Sequence, residues 1–313
     1  MNKEFLLSSL TEQYPQFKNF DISVLKRSQA NDLYMLMLDN DSFRQQFILK
    51  DYSGRSNAAE VIETQLTVEE LIRRNTDVPV LVSLAMVNHQ AGLYSIIQPK
   101  IPGITIKRLL QTDEENTVRP FVEQSAAVLA QIHNIKAENF GDVIKSGSHF
   151  KTWGDCFGSY VTQQLEIGIR NRIFTAPHAD FFIQRIRNFD HTSLRTPTLQ
   201  HGDFHSGNIL VDINLGNIAG IIDFELARFW IPEWDITRCK QVAYPNNPRL
   251  ADVFVKSYAE NVGTSIDNLL EQVEFYRSFE SLFFWVWGWK RNEELTQQIK
   301  QDIGEITGLP YSD

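Results

Sequence analysis

Between His201 and Glu225 the chain reads His-Gly-Asp-Phe-His-Ser-Gly-Asn-Ile-Leu-Val-Asp, a short polar turn, then Gly-Ile-Ile-Asp-Phe-Glu. Two apolar, β-prone runs, Ile209 to Val211 and Ile218 to Ile222, flank the turn-forming segment from Asp212 to Asn217, which predicts a β-hairpin. A hairpin brings its outer ends together, so Asn208, just before the first strand, and Asp223, just after the second, should converge. A carboxamide oxygen and a carboxylate suit Mg²⁺, which takes one or two protein ligands and fills its other positions with waters and phosphate oxygens. Asp203, upstream in the same loop, stands where a base would orient a hydroxyl while the metal neutralises a phosphate.

Other readings of these residues exist. Ser206-Gly207-Asn208 taken alone is turn chemistry, and Asp223 taken alone is a strand-end cap. His201, Asp203 and His205 could together form a metal site, but a zinc site usually adds a further ligand cluster, and the chain has no His-x-x-x-His or Cys-x-x-Cys partner for one. His201 reads better as a hydrogen-bonded scaffold beneath the loop, with His205 as a residue that faces the site.

The ordered set resembles the aminoglycoside phosphotransferase-like small-molecule kinases, which share the protein-kinase-like fold. Asp203 and Asn208 repeat the protein-kinase spacing of catalytic-loop Asp and Asn, and Asp223-Phe224-Glu225 stands where kinases carry Asp-Phe-Gly. Gly202 in place of the usual arginine, and the lack of an Ala-Pro-Glu segment after Asp223, favour the small-molecule branch over a protein kinase. The resemblance implies an α+β, two-lobed fold: a small antiparallel sheet as N-lobe over residues 1–102, and a larger, mainly helical C-lobe over 103–313. It also implies ATP and Mg²⁺ as cofactors and a small-molecule hydroxyl as acceptor.

The elements that must position these groups are visible upstream. Residues to about Asn19 read as an amphipathic helix with Leu6, Leu7 and Leu10 on one side. Ile22 to Arg27, Leu33 to Leu38 and Gln45 to Lys50 read as three strands of an antiparallel sheet. In the family this sheet clamps the nucleotide, which places Ser28, in the loop Ser28-Gln29-Ala30-Asn31, over the phosphates. That loop departs from the family's glycine-rich type, having no glycine. Lys50, closing the third strand, matches the kinase lysine that holds the α- and β-phosphates. A helix over about Asn57 to Arg74 should supply its partner, with Glu63 chosen and Glu60 the alternative. Val78 to Val82 and Tyr94 to Gly103 read as two more strands ending in a Pro-Gly break. That break fits the hinge of the family, where backbone groups from Gln98 to Ile101 meet the adenine edge.

Beyond Gly103 the pattern turns helical. Phe121, Ser125, Val128, Leu129 and Ile132 share one helix face ending at His133, which reads as structural. Trp234-Asp235 matches the place where kinase-like folds start a helix whose Asp braces the catalytic loop. The C-terminal part is rich in aromatics, from Phe254 and Tyr258 to Trp287 and Trp289, most of them core. In the family such helices shape the acceptor pocket, where Glu225 or Glu280 would meet a cationic group and favour an amine-bearing alcohol.

The 313 residues, 42% hydrophobic and 22% charged, suffice for two cores, and the net charge of -9 argues against nonspecific nucleic-acid binding. Two cysteines make no disulfide framework. The N-terminal residues lack a long apolar core, and Leu282 to Trp289 is too short to span a bilayer, so a cytoplasmic protein without membrane partners is expected. A nucleotide-binding module without catalysis is the rival in a different class, left open by the glycine-free loop.

Overall fold

Alternating apolar residues build the sheet that the pattern predicts. In the computed structural model of the chain, which describes residues 8, 11–12, 20–26, 32–40, 43–52, 55–83, 85–90, 93–144, 147–188, 195–240, 244 and 247–311, five antiparallel strands run in the order β1-β2-β3-β5-β4. They are β1 (Phe20–Lys26), β2 (Asp32–Asn40), β3 (Phe43–Asp51), β4 (Ala85–Gln90) and β5 (Leu93–Pro99). Tyr34 and Leu36 on β2, and Phe47 and Leu49 on β3, are buried on alternate positions. Of the predicted N-terminal helix only residues 8 and 11–12 are described, all helical, and the Ser28 loop lies outside the described residues.

The helix expected after β3 is α1 (Ala58–Asn75). Its buried positions Ala58, Val61, Ile62, Gln65, Val68, Glu69 and Ile72 recur at helical spacing. Ala58, Val61 and Ile62 pack with Tyr52 and Ile96. The segment Val78 to Val82 is not the strand that its apolar run suggests. It makes one isolated bridge, Val80 to Ile221, and the partner of β5 is β4, which begins only at Ala85. Pro79 has no N–H to give a ladder, which is why this run cannot serve as a sheet-interior strand.

The chain divides into two compact units. The first comprises Met1–Ile132, Val143–Lys145 and Ser206–Ala227. Besides the large sheet and α1, it holds β6 (Ile104–Thr105), α2 (Ile106–Thr112), α3 (Glu115–Ile132) and the predicted hairpin, β10 (Ile209–Asp212) and β11 (Asn217–Ile221). Thr105 caps α2 by accepting from the Arg108 N–H at 3.2 Å. The hairpin turn closes on Asp212, whose Oδ1 accepts from the Asn214 and Leu215 N–H groups at 2.9 and 3.1 Å, with Gly216 left-handed at φ +69°. Gln124 of α3 ties the turn down, donating to the Gly216 carbonyl at 3.0 Å and accepting from the Ile218 N–H at 3.1 Å.

The second unit comprises His133–Asp142, Ser146–His205 and Arg228–Asp313. Its small sheet, order β8-β7-β12-β9, is built from β7 (Phe140–Asp142), β8 (His149–Phe150), β9 (Thr198–Gln200) and β12 (Arg228–Trp230). The helices are α4 (Trp153–Arg170), α5 (Ala176–Arg187), α6 (Pro232–Arg238), α7 (Pro248–Val262), α8 (Ile266–Gly288) and α9 (Glu293–Thr307). They close over an aromatic core in which Phe157 sits edge-on to Tyr276 and Phe279, at centroid distances of 5.4 and 4.9 Å. Phe254, Tyr258, Tyr276, Phe279 and Trp285 are buried, whereas Trp287 is half exposed. The architecture is the expected α+β one, an antiparallel sheet toward the N-terminus and helices toward the C-terminus. No helix among the described residues is long and apolar enough to cross a membrane.

Two glycines of the first unit give a stability test. Gly103 has φ +125°, and a Cβ there would run into the Val211 carbonyl where β6 meets β10, whereas Gly216 has open space around it. Gly103→Ala should lower the unfolding free energy by roughly 3 kcal/mol, and Gly216→Ala by only about 1 kcal/mol. Denaturant midpoints of the two variants check this ordering.

Candidate active site

The hairpin does to Asn208 and Asp223 what its register requires. Ile209 pairs with Ile221, and the Ile222 N–H donates to the Asn208 carbonyl at 3.1 Å, so Asn208 and Asp223 stand side by side at its open end. Asn208 is buried. Asp223 has φ +73°, a left-handed conformation that Asp tolerates better than most side chains.

Lys50, buried at the end of β3, reaches the same place. Its Nζ lies 3.0 Å from Asp223 Oδ1 and also pairs with Glu225. Glu225 is held in turn by the Tyr52 hydroxyl at 2.9 Å and the Arg55 guanidinium at 2.6 Å. Burial works against the Lys50 ammonium, but the Asp223 and Glu225 carboxylates outweigh it and push its pKa above the ordinary lysine value. Lys50, Asp223, Gln98 and Ile101 all line a cavity of about 430 Å³ whose other walls include Ile48 and Ile222. An apolar slot with a cation and a carboxylate on its wall suits a flat ring carrying a charged tail.

The structure does not bring Glu63 to Lys50. Glu63 and its alternative Glu60 are exposed on α1, and the buried glutamate of that helix is Glu69. Glu69 accepts from the Ser83 N–H at 2.8 Å, the Ser83 hydroxyl at 3.0 Å, Gln65 at 3.0 Å and Gln98 at 3.2 Å. Burial raises its pKa, and these hydrogen bonds oppose the rise. The Gln98 side chain is thus tied to Glu69 and Ser83. Glu225, expected at the acceptor, instead neutralises Lys50 and Arg55.

In the second unit, Asp203 sits on a loop braced by Asp235 of α6. The Asp235 carboxylate accepts from the His201 N–H at 2.7 Å and the Gly202 N–H at 2.9 Å, and lies 3.2 Å from His133 Nε2. His133 Nδ1 meets the Tyr258 hydroxyl at 2.7 Å. These contacts fix the loop backbone on either side of Gly202, which adopts φ +79°. His201, fully buried, accepts from the Asp203 N–H at 3.3 Å. The three-ligand alternative is not built, since no group of three or more His, Cys, Asp or Glu among the described residues could hold a metal ion.

The Asp203 side chain has partners that the sequence did not announce. Arg238, the last residue of α6, donates to Asp203 Oδ1 from Nη2 at 2.8 Å and Nε at 3.1 Å, while His205 Nε2 lies 3.5 Å from Oδ2. The other arm of Arg238 pairs with buried Glu280 of α8. Burial alone would raise the Asp203 pKa, but the His205 hydrogen bond and the Arg238 charge hold the carboxyl well below the usual carboxylate range. Arg238 stands three residues after Asp235, so helical periodicity was the one signal available for it.

A second cavity, of about 560 Å³, opens between α7, α8 and α9. Five acids, Asp252, Glu274, Glu280, Asp302 and Glu305, line it with two bases, Lys240 and Arg277.

The fold is that of protein-kinase-like phosphotransferases. An ADP-bound aminoglycoside phosphotransferase, APH(2'')-Ib, is 16% identical, with 98% of this chain and 97% of that one covered and a TM-score of 0.67. A mutant aminoglycoside 2'-phosphotransferase-IIIa in its GDP complex is 14% identical, with 98% of each chain covered and a TM-score of 0.70. A thermostable mutant of aminoglycoside phosphotransferase APH(4)-Ia, in a ternary complex with ADP and hygromycin B, is 16% identical, covering 97% and 98%, with a TM-score of 0.65. No curated protein sequence matches the chain. Residues 21–271 match the phosphotransferase enzyme family, and the chain belongs to that family.

The loop brace carries its own prediction. Asp235→Ala would leave two backbone N–H groups and His133 without their buried acceptor. It should lower the unfolding free energy by roughly 3–5 kcal/mol, measured by equilibrium denaturation.

Proposed function

We propose that the chain transfers the γ-phosphoryl group of ATP to a hydroxyl of a small, amine-bearing molecule. The observation that carries this is the ion pair of Lys50 with Asp223 at the open end of the hairpin, across which the Asn208 carbonyl accepts from the Ile222 N–H, with Lys50 and Asp223 on the wall of an apolar cavity. Membership of the phosphotransferase family supports it, as do the ADP, GDP and hygromycin B complexes of proteins with this fold.

In this reading Lys50 binds the α- and β-phosphates, and Glu225, itself held by Tyr52 and Arg55, steadies the ammonium in place of a helix glutamate. The donor set fits Mg²⁺: one amide and one carboxylate, both hard oxygen ligands, on residues that flank the open end of the β10–β11 hairpin. Held by Asn208 and Asp223, Mg²⁺ would neutralise charge on the transferring phosphoryl group. Asp203 orients the acceptor hydroxyl and takes its proton late, because a loose transition state needs little deprotonation of the nucleophile. Positioning and electrostatics supply most of the acceleration. The acid-lined cavity of α7, α8 and α9 favours an acceptor with protonated amines, which selects amino sugars, aminoglycosides and amino alcohols over neutral sugars.

Two variants and one panel test the reading. Asp203→Ala should cut turnover by roughly 10²–10⁴-fold and leave nucleotide affinity unchanged; near-normal turnover would remove Asp203 from its role. Asp223→Ala should weaken Mg-ATP binding by at least about tenfold, and calorimetry showing unaltered binding would count against the metal assignment. ADP release across a panel of amine-bearing and neutral alcohols should single out the amines.

A further inference from the structure

Within the second unit, Asp203 is one end of a three-residue charge chain that runs through Arg238 to Glu280. Resting on the reading of Asp203 as the residue that orients the hydroxyl, we infer that Arg238 is a positioning residue for it. Arg238 fixes the carboxylate through Oδ1 so that the Oδ2 edge, beside His205, meets the acceptor, and Glu280 holds the guanidinium in place.

Three features carry this. Two nitrogens of one guanidinium converge on a single oxygen of Asp203, at 2.8 and 3.1 Å, so the carboxylate cannot rotate without losing both bonds. The arginine is itself immobilised, because its remaining arm pairs with Glu280, 4% exposed on α8. The same helix grips the loop twice: Asp235 binds the backbone at His201 and Gly202, and Arg238, one turn later, binds the side chain of Asp203. Helix α6 therefore sets both the path of the loop and the direction of its acid.

An arginine touching Oδ1 also keeps Asp203 ionised. The groups facing Asp203 are His201 and His205 on its own loop, Arg238 and Asp235 on α6, and Glu280 behind the guanidinium on α8. Only Arg238 among them is a permanent cation. Its removal takes away the charge that favours the ionised carboxylate in this buried place, which raises the Asp203 pKa. A base must be deprotonated to act, so activity should then fail at a higher pH than in the wild type.

The test uses the full chain, with ADP release from Mg-ATP read against the best acceptor of the amine panel. Arg238→Gln should lower kcat by roughly a hundredfold, move the acid limb of kcat to higher pH, and leave the Kd for Mg-ADP unchanged. Arg238→Lys, which keeps the charge and loses the fork, should restore the acid limb but only part of kcat. Glu280→Gln should lower kcat with a smaller shift of the limb. If Asp203→Asn is inactive while Arg238→Gln and Arg238→Lys keep wild-type kcat and pH profile, the inference about Arg238 fails alone. A loss of kcat with no shift of the limb and no gain from lysine would reduce Arg238 to a folding role and also overturn it. If Asp203→Asn turns over normally, the role of Asp203 fails and takes this inference with it.

Discussion

A carboxylate removed from water must be given donors or a cation, and most of the candidate site is an answer to that demand. Asp235 is fully buried and is met by two backbone N–H groups and His133. Glu69 is buried and is met by serine and glutamine donors. Asp203 and Glu280 share Arg238, and Asp223 and Glu225 share Lys50, with Arg55 as a second cation. Removing one partner from such a set strands the others, at a cost of several kcal/mol. Each set therefore acts as a clasp, and the geometry of the polar residues follows from keeping every charge answered.

The same demand explains the division of labour among the acids. Around Lys50 two cations face two carboxylates, so the cluster is neutral as it stands. A triphosphate tail arriving there brings several negative charges that Lys50 and Arg55 cannot both balance while holding Asp223 and Glu225. On the proposed reading a divalent cation makes up the difference, and Asp223 is the acid that turns to it, being far less buried than Glu225, with its side chain 36% exposed against 7%. Glu225 stays with Tyr52 and Arg55. Burial and the Glu225 charge push the Tyr52 phenol well above its ordinary pKa, so it remains a donor to that carboxylate.

What the sequence disclosed was what local rules govern. The hairpin was legible because its turn residues, Asp212 and Gly216, have few other uses, and with it came the adjacency of Asn208 and Asp223. The strands from β1 to β3 and helix α1 followed from apolar periodicity. The glutamates near the start of α1, expected at Lys50, are exposed, and its counter-charges are Asp223 and Glu225. The buried face running through Val61, Gln65, Val68 and Ile72 takes in Glu69 and leaves Glu60 and Glu63 outside. Periodicity thus separates the buried glutamate of α1 from the exposed ones, but the carboxylates that meet Lys50, Asp223 and Glu225, come from the segment after β11 and not from that helix. Arg238 was harder, since an arginine at a helix end is ordinarily a solvated charge, and only the tertiary approach of α8 gives it a buried partner. The false strand at Val78 to Val82 shows the opposite error, an apolar run read by composition when Pro79 had already removed a ladder donor.

Backbone strain marks the two places where side-chain direction matters most. Asp223 sits at φ +73° two residues after β11, and Gly202 at φ +79° immediately before Asp203. For a residue with a Cβ such a conformation costs about 1 kcal/mol or more, and glycine at 202 avoids that cost. Asp223 does not avoid it, which requires that the surrounding bonds over-determine its position. They do: the β10–β11 ladder fixes the chain up to Ile221, the Asn208 carbonyl fixes the N–H of Ile222, and Lys50 holds the carboxylate. A right-handed or extended Asp223 would aim its carboxylate elsewhere and leave buried Lys50 short of one counter-charge. The left-handed turn is thus held by the ion pair it makes possible, and an asparagine or glycine at this position would keep the turn while losing the charge that justifies it.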